Sequence, residues 1–286
     1  MIGAAIKEAL RLAGRTGKLW FARPDELPQL AQQAAATAFA QHSAVVAVGG
    51  DGTINAVAHA ATSIGCVMGV VPQGTFNYFA RTHGIDADPM QALHTLLTCA
   101  PLPVQVGLIN GHLFLVNASL GLYPELLQDR EAFKARFGRH RIVAFVSGMV
   151  TLLGVHRLLR LRIERTAGEH HIVTPTLFVG NNRLQLEQVG LAQDNAPEQG
   201  FLTAVVLKPI GTLSMLWLLL RGSFGSLGEA DSVKSFEFGR IVVRPRLGWR
   251  GVKVAYDGEV SWMRVPLEFK VSPTPLHLIK PSTQTS

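Results

Sequence analysis

Charge is scarce in this chain. Only 16% of its 286 residues are Asp, Glu, Lys or Arg, against 48% hydrophobic residues, so a real core is expected. The scarcer sign is negative: 20 acidic residues face 27 basic ones, for a net charge of +7. That excess favours an acidic partner such as a nucleotide or an anionic membrane surface. Aromatic residues interleaved with the basic ones, as nucleic-acid stacking requires, are missing, so DNA and RNA are not expected partners. Cysteine is nearly absent. Cys66 and Cys99 lie in apolar contexts without metal-ligand spacing, and they read as reduced core residues of a cytosolic protein. His140, His156 and the pair His170-His171 likewise lack metal-ligand company.

Long apolar runs are missing too. The longest, Ile142–Val155, is closed by His156, Arg157 and Arg160 and falls short of the ~20 residues that a spanning helix needs. Met1–Leu10 contains Lys7 and Glu8 and shows no signal-peptide core. A soluble or peripheral protein is expected. No internal repeat or low-complexity segment occurs, and no Gly-Lys-Ser/Thr step, which excludes a Walker A loop.

What is present is glycine in two places. The apolar run Val45–Val48 feeds Gly49-Gly50-Asp51-Gly52-Thr53, and a helical pattern begins at Ile54-Asn55. The apolar run Cys66–Val71 feeds Pro72-Gln73-Gly74-Thr75-Phe76-Asn77, with a helical start at Tyr78–Arg81. Each turn sits at the C-terminal end of an expected strand. Ligands of open parallel sheets bind there. Glycine lets backbone approach an anion, and helix N-termini stabilise negative charge. The carboxylate of Asp51 would repel a phosphate. It therefore implies either a divalent cation between the two or a hydrogen-bonding role in shaping the loop.

The rest of the first third alternates helix and strand: helix Ala4–Ala13, strand Lys18–Ala22, a helix capped by Asp25 and running to about His42, strand Ala44–Val48, helix Ile54–Thr62, strand Cys66–Val71, and a helix from Asp88 or Pro89 to Thr98. This pattern predicts a parallel sheet with helices on its faces. After Pro101-Leu102-Pro103 it becomes antiparallel β. Val104–Ile109 and His112–Asn117 flank an Asn110-Gly111 hairpin turn. Further strands are expected at Leu161–Glu164, Ile172–Val179, Leu202–Leu207, Val233–Phe238, Ile241–Arg244, Val252–Tyr256, Val260–Met263 and Val265–Val271, with helices over Ile142–Leu161 and Leu213–Leu220. The expected domains are 1–103 and 104–271. Residues 272–286 either trail as a polar, proline-bearing tail or return to the first domain.

Four motifs carry a family resemblance. They are Gly49-Gly50-Asp51-Gly52-Thr53-Ile54-Asn55, Pro72-Gln73-Gly74-Thr75-Phe76-Asn77-Tyr78-Phe79-Ala80-Arg81, Asn117-Ala118-Ser119-Leu120-Gly121 and Tyr256-Asp257-Gly258-Glu259. In this order and spacing the chain resembles the diacylglycerol kinase catalytic-domain family of bacterial lipid kinases. Gly-Gly-Asp-Gly alone is shared with NAD kinases and phosphofructokinases. The resemblance implies a parallel-sheet α/β nucleotide-binding domain, a C-terminal antiparallel β-sandwich domain and a cleft between them. It implies phosphorylation of the hydroxyl of diacylglycerol or a related membrane lipid, with ATP as co-substrate and Mg2+ as cofactor. Such an enzyme is cytoplasmic and peripheral to the inner face of the membrane. Gly49, Gly50, Asp51, Gly52, Thr53, Ile54 and Asn55 would then hold the ATP phosphates, with Asp51 near the metal. Gly74, Thr75 and Asn77 would line the other side of the nucleotide. Asp257 and Glu259 lie in the segment that carries the proton acceptor, and either carboxylate fits. Asp257-Gly258 is also a type I′ hairpin signal in its own right.

The chain departs from the family at four places. The family begins with a strand and an Asn-Pro-x-Ser-Gly-type turn, and this sequence starts in the helix that follows. Ala56 stands where the family has Glu, and Tyr78 where it has Asp. Gln199 replaces the Asp of an Asp-Gly step that helps hold a structural magnesium. A catalytically weakened nucleotide- or lipid-binding protein of the same fold is thus one alternative. A soluble NAD-kinase-type enzyme is another, although no Thr-Gly-Ser-rich second motif follows the first domain. The arginines around Ile142–Leu161 suggest either a solvated rim on a buried helix or a membrane-facing surface.

Overall fold

A computed structural model describes residues 2–121, 158–165, 168–181, 200–208, 233–245 and 250–282. The chain divides into two compact units, Met1–Val106 with Ser272–Ser286, and Gly107–Val271. The first contains α1 (Ile2–Leu12), α2 (Leu27–Ala40), β1 (Ala44–Gly49), α3 (Asp51–Ile64), β2 (Val67–Pro72), α4 (Tyr78–Thr82), α5 (Pro89–Thr98) and β3 (Pro101–Val104). The second contains β4 (Gly107–Ile109), β5 (His112–Phe114), β6 (Asn117–Gly121), β7 (Leu159–Arg165), β8 (Gly168–Thr174), β9 (Thr176–Gly180), β10 (Leu202–Leu207), β11 (Val233–Phe238), β12 (Arg240–Pro245), β13 (Gly251–Tyr256), β14 (Glu259–Arg264) and β15 (Leu267–Val271). The last strand, β16 (Leu276–Ile279), belongs to the first unit.

The sheet of the first unit runs β1-β2-β16-β3. β1 and β2 pair in parallel, and β16 pairs in parallel with β2 and antiparallel with β3. β2 is central, and Met68 through Pro72 are all buried. β1 is an edge strand, and its Val46 is exposed between buried Val45 and Ala47. The helix ends follow local chemistry. The Asp88 carboxylate accepts from the Met90 and Gln91 N–H groups at 2.9 and 3.0 Å, so α5 starts capped and with Pro89 in its first turn. α3 stops at Gly65, whose φ of 73° is the left-handed cap that glycine adopts freely.

Three expectations for this unit are corrected. Lys18–Ala22 is not a strand, because it has no ladder partner. It is held instead by side chains, with the Lys18 ammonium 3.9 Å from the Trp20 ring and Leu19 and Phe21 over Gly3. Asp25 does not cap α2. Glu26 occupies the cap position without a side-chain cap bond, and Arg23 pairs with both acids. Pro101-Leu102-Pro103 is not merely an interruption but the body of β3. Both prolines are exposed on this edge strand, where no N–H is needed. The final segment holds a strand, β16, in this unit's sheet. Leu276 and Leu278 are fully buried at period two in the middle of the sheet.

The second unit is an antiparallel β-sandwich. One sheet runs β11-β10-β9-β6-β13-β14 and the other β5-β4-β15-β12-β7-β8. A single buried cluster draws on both, with Leu120, Leu177, Leu202 and Val254 from the first and Ile109, Leu161, Ile163 and Phe269 from the second. The predicted strand Ile172–Val179 is two strands in different sheets, broken at Pro175. The Thr174 hydroxyl donates to the Thr176 carbonyl at 2.6 Å and accepts its N–H at 3.2 Å, which fixes the corner. The expected helix over Ile142–Leu161 runs into β7, which begins at Leu159. The remainder of that segment and Leu213–Leu220 lie outside the described residues. Among the described residues no helix is long and apolar enough to cross a membrane.

His83 follows α4, with its ring edge-on to Phe79 at 4.5 Å. Burial, and secondarily the charge of Lys280, push its pKa down from 6.5 to about 4. A depressed folded-state pKa means that the unfolded chain binds the proton more readily. The stability contributed by neutral His83 is present above pH 6.5 and is lost as pH falls toward about 4. Chemical denaturation across this window should show a loss of up to about 1.4 kcal/mol per pH unit from this group. His83→Gln should flatten that slope, and an unchanged slope would contradict the assignment.

Candidate functional site

In the first unit the two glycine segments meet. β1 ends at Gly49 and α3 begins at Asp51, so Gly50 alone makes the junction, with extended φ −82° and ψ −176°. The expected five-residue turn is therefore shorter, and Gly52, Thr53, Ile54 and Asn55 already lie in α3. The helix's first backbone bond runs from the Ile54 N–H to the Gly50 carbonyl at 3.0 Å. The N–H groups of Asp51, Gly52 and Thr53 precede that bond, at the positive end of the helix dipole. Gly52 is exposed with open space around its Cα, Thr53 is tucked against Gly49, and Ile54 is fully buried as the anchor of the helix.

The second segment is pinned to the first. The Gln73 N–H donates to the Gly49 carbonyl at 2.8 Å. The Gly74 N–H donates to Asn77 Oδ1 at 2.9 Å. Asn77 is buried at φ 50°, a left-handed conformation that asparagine tolerates. Its side chain thus shapes the loop. Thr75 and Phe76 are exposed, and the Phe76 and Tyr78 rings stack at 5.4 Å and 6°. The decisive contact is between backbones. A Cβ on Gly74 would lie 2.9 Å from the Gly50 Cα, and one on Gly50 would lie 3.3 Å from the Gly74 Cα. A Cβ on Gly74 does not fit at this separation, and one on Gly50 would need its neighbour to give by a few tenths of an ångström.

Asp51 sits at this junction. Burial raises its pKa, while the N–H groups of Phe79, Tyr78 and Asn77 at the start of α4 pull the other way. Its Oδ1 is buried and makes no hydrogen bond of normal geometry among the described residues. A buried carboxylate oxygen without a partner beside helix N–H groups fits a divalent cation, or a loop-shaping role toward α4. Among the described residues no group of three or more His, Cys, Asp or Glu could hold a metal alone. A cation here would share Asp51 with ligand oxygens, as Mg2+ commonly does.

In the second unit, β13 and β14 join through Asp257 (φ 46°) and Gly258 (φ 88°), the paired positive φ values of a type I′ turn. The Asp257 carboxylate holds a second segment. Oδ2 accepts the Leu115 N–H at 2.7 Å, and Oδ1 accepts those of Val116 and Asn117 at 2.8 and 3.1 Å. The Asp257 N–H donates back to the Asn117 carbonyl at 3.0 Å. This clamp explains why the predicted strand His112–Asn117 ends at Phe114: three successive N–H groups turn to a carboxylate instead of a ladder. Buried Asn181 completes it, donating from Nδ2 to the Leu115 carbonyl and from its backbone to Val116, both at 3.0 Å. Sequence reasoning missed Asn181, whose signal was a polar residue directly after an apolar strand. Glu259 is exposed opposite Tyr256. Burial and the charge of Glu259 raise the Tyr256 pKa. In the Ala196–Phe201 segment, Gln199 lies outside the described residues.

An α/β unit with two abutting glycine junctions, followed in the chain by an antiparallel sandwich, is the architecture of two-domain lipid kinases. The family model "Diacylglycerol kinase catalytic domain" matches residues 4–109. A probable lipid kinase YegS-like from Pseudomonas syringae pv. tomato is 39% identical over 237 residues, covering 77% of this chain and 70% of that protein. A protein of the same name from Pseudomonas aeruginosa is 29% identical over 279 residues, covering 89% and 81%. A crystal structure of a diacylglycerol kinase from Bacillus anthracis shares the fold, with TM-score 0.69 at 16% identity over 97% of this chain and 91% of that one. The chain belongs to the diacylglycerol kinase catalytic-domain family of lipid kinases, and its relatives are kinases.

Asp51 provides a test that separates stability from activity. Its raised pKa means that the ionised form costs folding free energy as pH rises above the ordinary 3.8. Asp51→Asn should therefore raise thermal stability at pH 7 while reducing phosphoryl transfer. A destabilised Asn variant would show instead that the carboxylate holds α4.

Proposed function

We propose that this protein transfers the γ-phosphoryl group of ATP to the hydroxyl of diacylglycerol or a related lipid, at the cytoplasmic face of the membrane. The observation that carries the phosphate side is the approach of Gly50 to Gly74 beside the N-terminus of α3. Kinship with lipid kinases supports the lipid acceptor. The N–H groups of Asp51, Gly52 and Thr53 bind phosphate oxygens, and exposed Thr75 lies in the adjoining loop. Asp51 would hold Mg2+, which would supply charge neutralisation for the transferring phosphoryl group.

The acceptor hydroxyl loses its proton as its oxygen bonds to the γ-phosphorus and ADP departs. Glu259 takes that proton. It is exposed at the start of β14, whereas both Asp257 oxygens accept backbone N–H bonds. Asp257 is the positioning residue: it fixes the turn that presents Glu259. Ala56 and Tyr78 favour the second reading, a weakened nucleotide- or lipid-binding protein, because each replaces a family carboxylate.

Labelled ATP and Mg2+, incubated with lipid micelles or with NAD, discriminate these readings. Label in lipid supports the kinase, label in NAD supports the soluble alternative, and ATP binding without product leaves the weakened protein. Glu259→Gln should lower kcat by about 10²–10⁴-fold with an unchanged denaturation midpoint. Asp257→Asn should cost about 1–3 kcal/mol of stability, since an amide cannot satisfy three N–H donors. It should also lower kcat with little change in KM for ATP. Full kcat in both variants would make the hairpin purely structural.

A further inference from the structure

The outward face of the β13–β14 hairpin has no role in the phosphoryl-transfer chemistry, and its composition is unusual. In the antiparallel register, Gly251 pairs with Arg264, Lys253 with Trp262, and Ala255 with Val260. These six residues share the face opposite the core, where Gly251 and Ala255 are buried and Lys253, Trp262 and Arg264 are exposed. Trp262 is 67% exposed, the most exposed tryptophan among the described residues. Lys253 and Arg264 are exposed on either side of it, and none of the six positions carries a carboxylate. β14 is the outermost strand of its sheet. The indole is not loose. A Cβ on Gly251 would meet Trp262 Cε2 at 2.9 Å and its Nε1 closer still, so the indole packs closely against the Gly251 backbone.

We propose that this face docks on an anionic phospholipid surface, with Trp262 in the headgroup region and Lys253 and Arg264 against lipid phosphates. Two features support a bilayer as occupant. An amphipathic indole is the ring best suited to a membrane–water interface. The two flanking cations complement an anionic leaflet. The choice of a bilayer rests on the lipid-kinase reading, but its test does not use ATP.

Co-sedimentation of the full chain with vesicles of phosphatidylcholine alone, and with phosphatidylglycerol added, reads the partition coefficient. Wild type should prefer the anionic vesicles. Trp262→Ala should lower that partitioning roughly tenfold, Trp262→Phe should recover part of it, and Arg264→Gln should lower it about fivefold. Thermal midpoints should be unchanged, because these side chains are exposed. Transfer to a short-chain, water-soluble diacylglycerol should stay at the wild-type level in Trp262→Ala. Equal partitioning of wild type and Trp262→Ala would overturn the proposal. So would a wild-type dimer that Trp262→Ala converts to monomer, which would assign the face to a second copy of the chain. Vesicle binding without any kinase activity would leave this proposal standing and remove the lipid-kinase reading instead.

Discussion

The first unit depends on one close approach, that of the Gly50 and Gly74 backbones. Two strands in parallel register end there, and two helices begin within four residues. A side chain at Gly74 would force the ends apart, and the helix N–H groups would no longer share a small volume with Asp51. The hydrogen bonds from Gln73 to Gly49 and from Gly74 to Asn77 hold the approach in place. Asp51 is the buried carboxylate of the arrangement: burial raises its pKa while the N–H groups at the start of α4 pull the other way.

The second unit has an analogous device made from a carboxylate. Asp257 gathers three backbone N–H groups from a segment 140 to 142 residues earlier in the chain. A rigid hairpin results, with Glu259 exposed at its first paired position and Trp262 on its outer face. One residue thereby fixes the placement of two others that carry different proposed roles, one chemical and one interfacial. Placing the chemistry on a clamped hairpin rather than a free loop keeps its geometry reproducible.

Much of this was legible in the sequence because it is local. Apolar runs followed by glycine marked both junctions, and alternation of strand and helix marked the sheet. Asn110-Gly111 and Asp257-Gly258 marked two hairpins. What escaped was non-local or context-dependent. Leu276 and Leu278 are strand residues only because β2 and β3 leave a slot between them. Pro101 and Pro103 are tolerated in β3 only because it is an edge. The break after Phe114 has no local cause, since the competing acceptor is Asp257. The shortening of the Gly49–Thr53 turn follows from α3 starting at Asp51, which one-residue boundary reasoning does not resolve.

The measurement closest to the central claim is phosphoryl transfer by Gly74→Ala, from labelled ATP to diacylglycerol in micelles. The added Cβ would sit 2.9 Å from the Gly50 Cα and 2.8 Å from Asn77 Oδ1, so the two junctions must separate. If they jointly position the phosphates, transfer should fall about 10²-fold while the variant remains folded. Transfer at the wild-type rate by a folded Gly74→Ala protein would contradict the account.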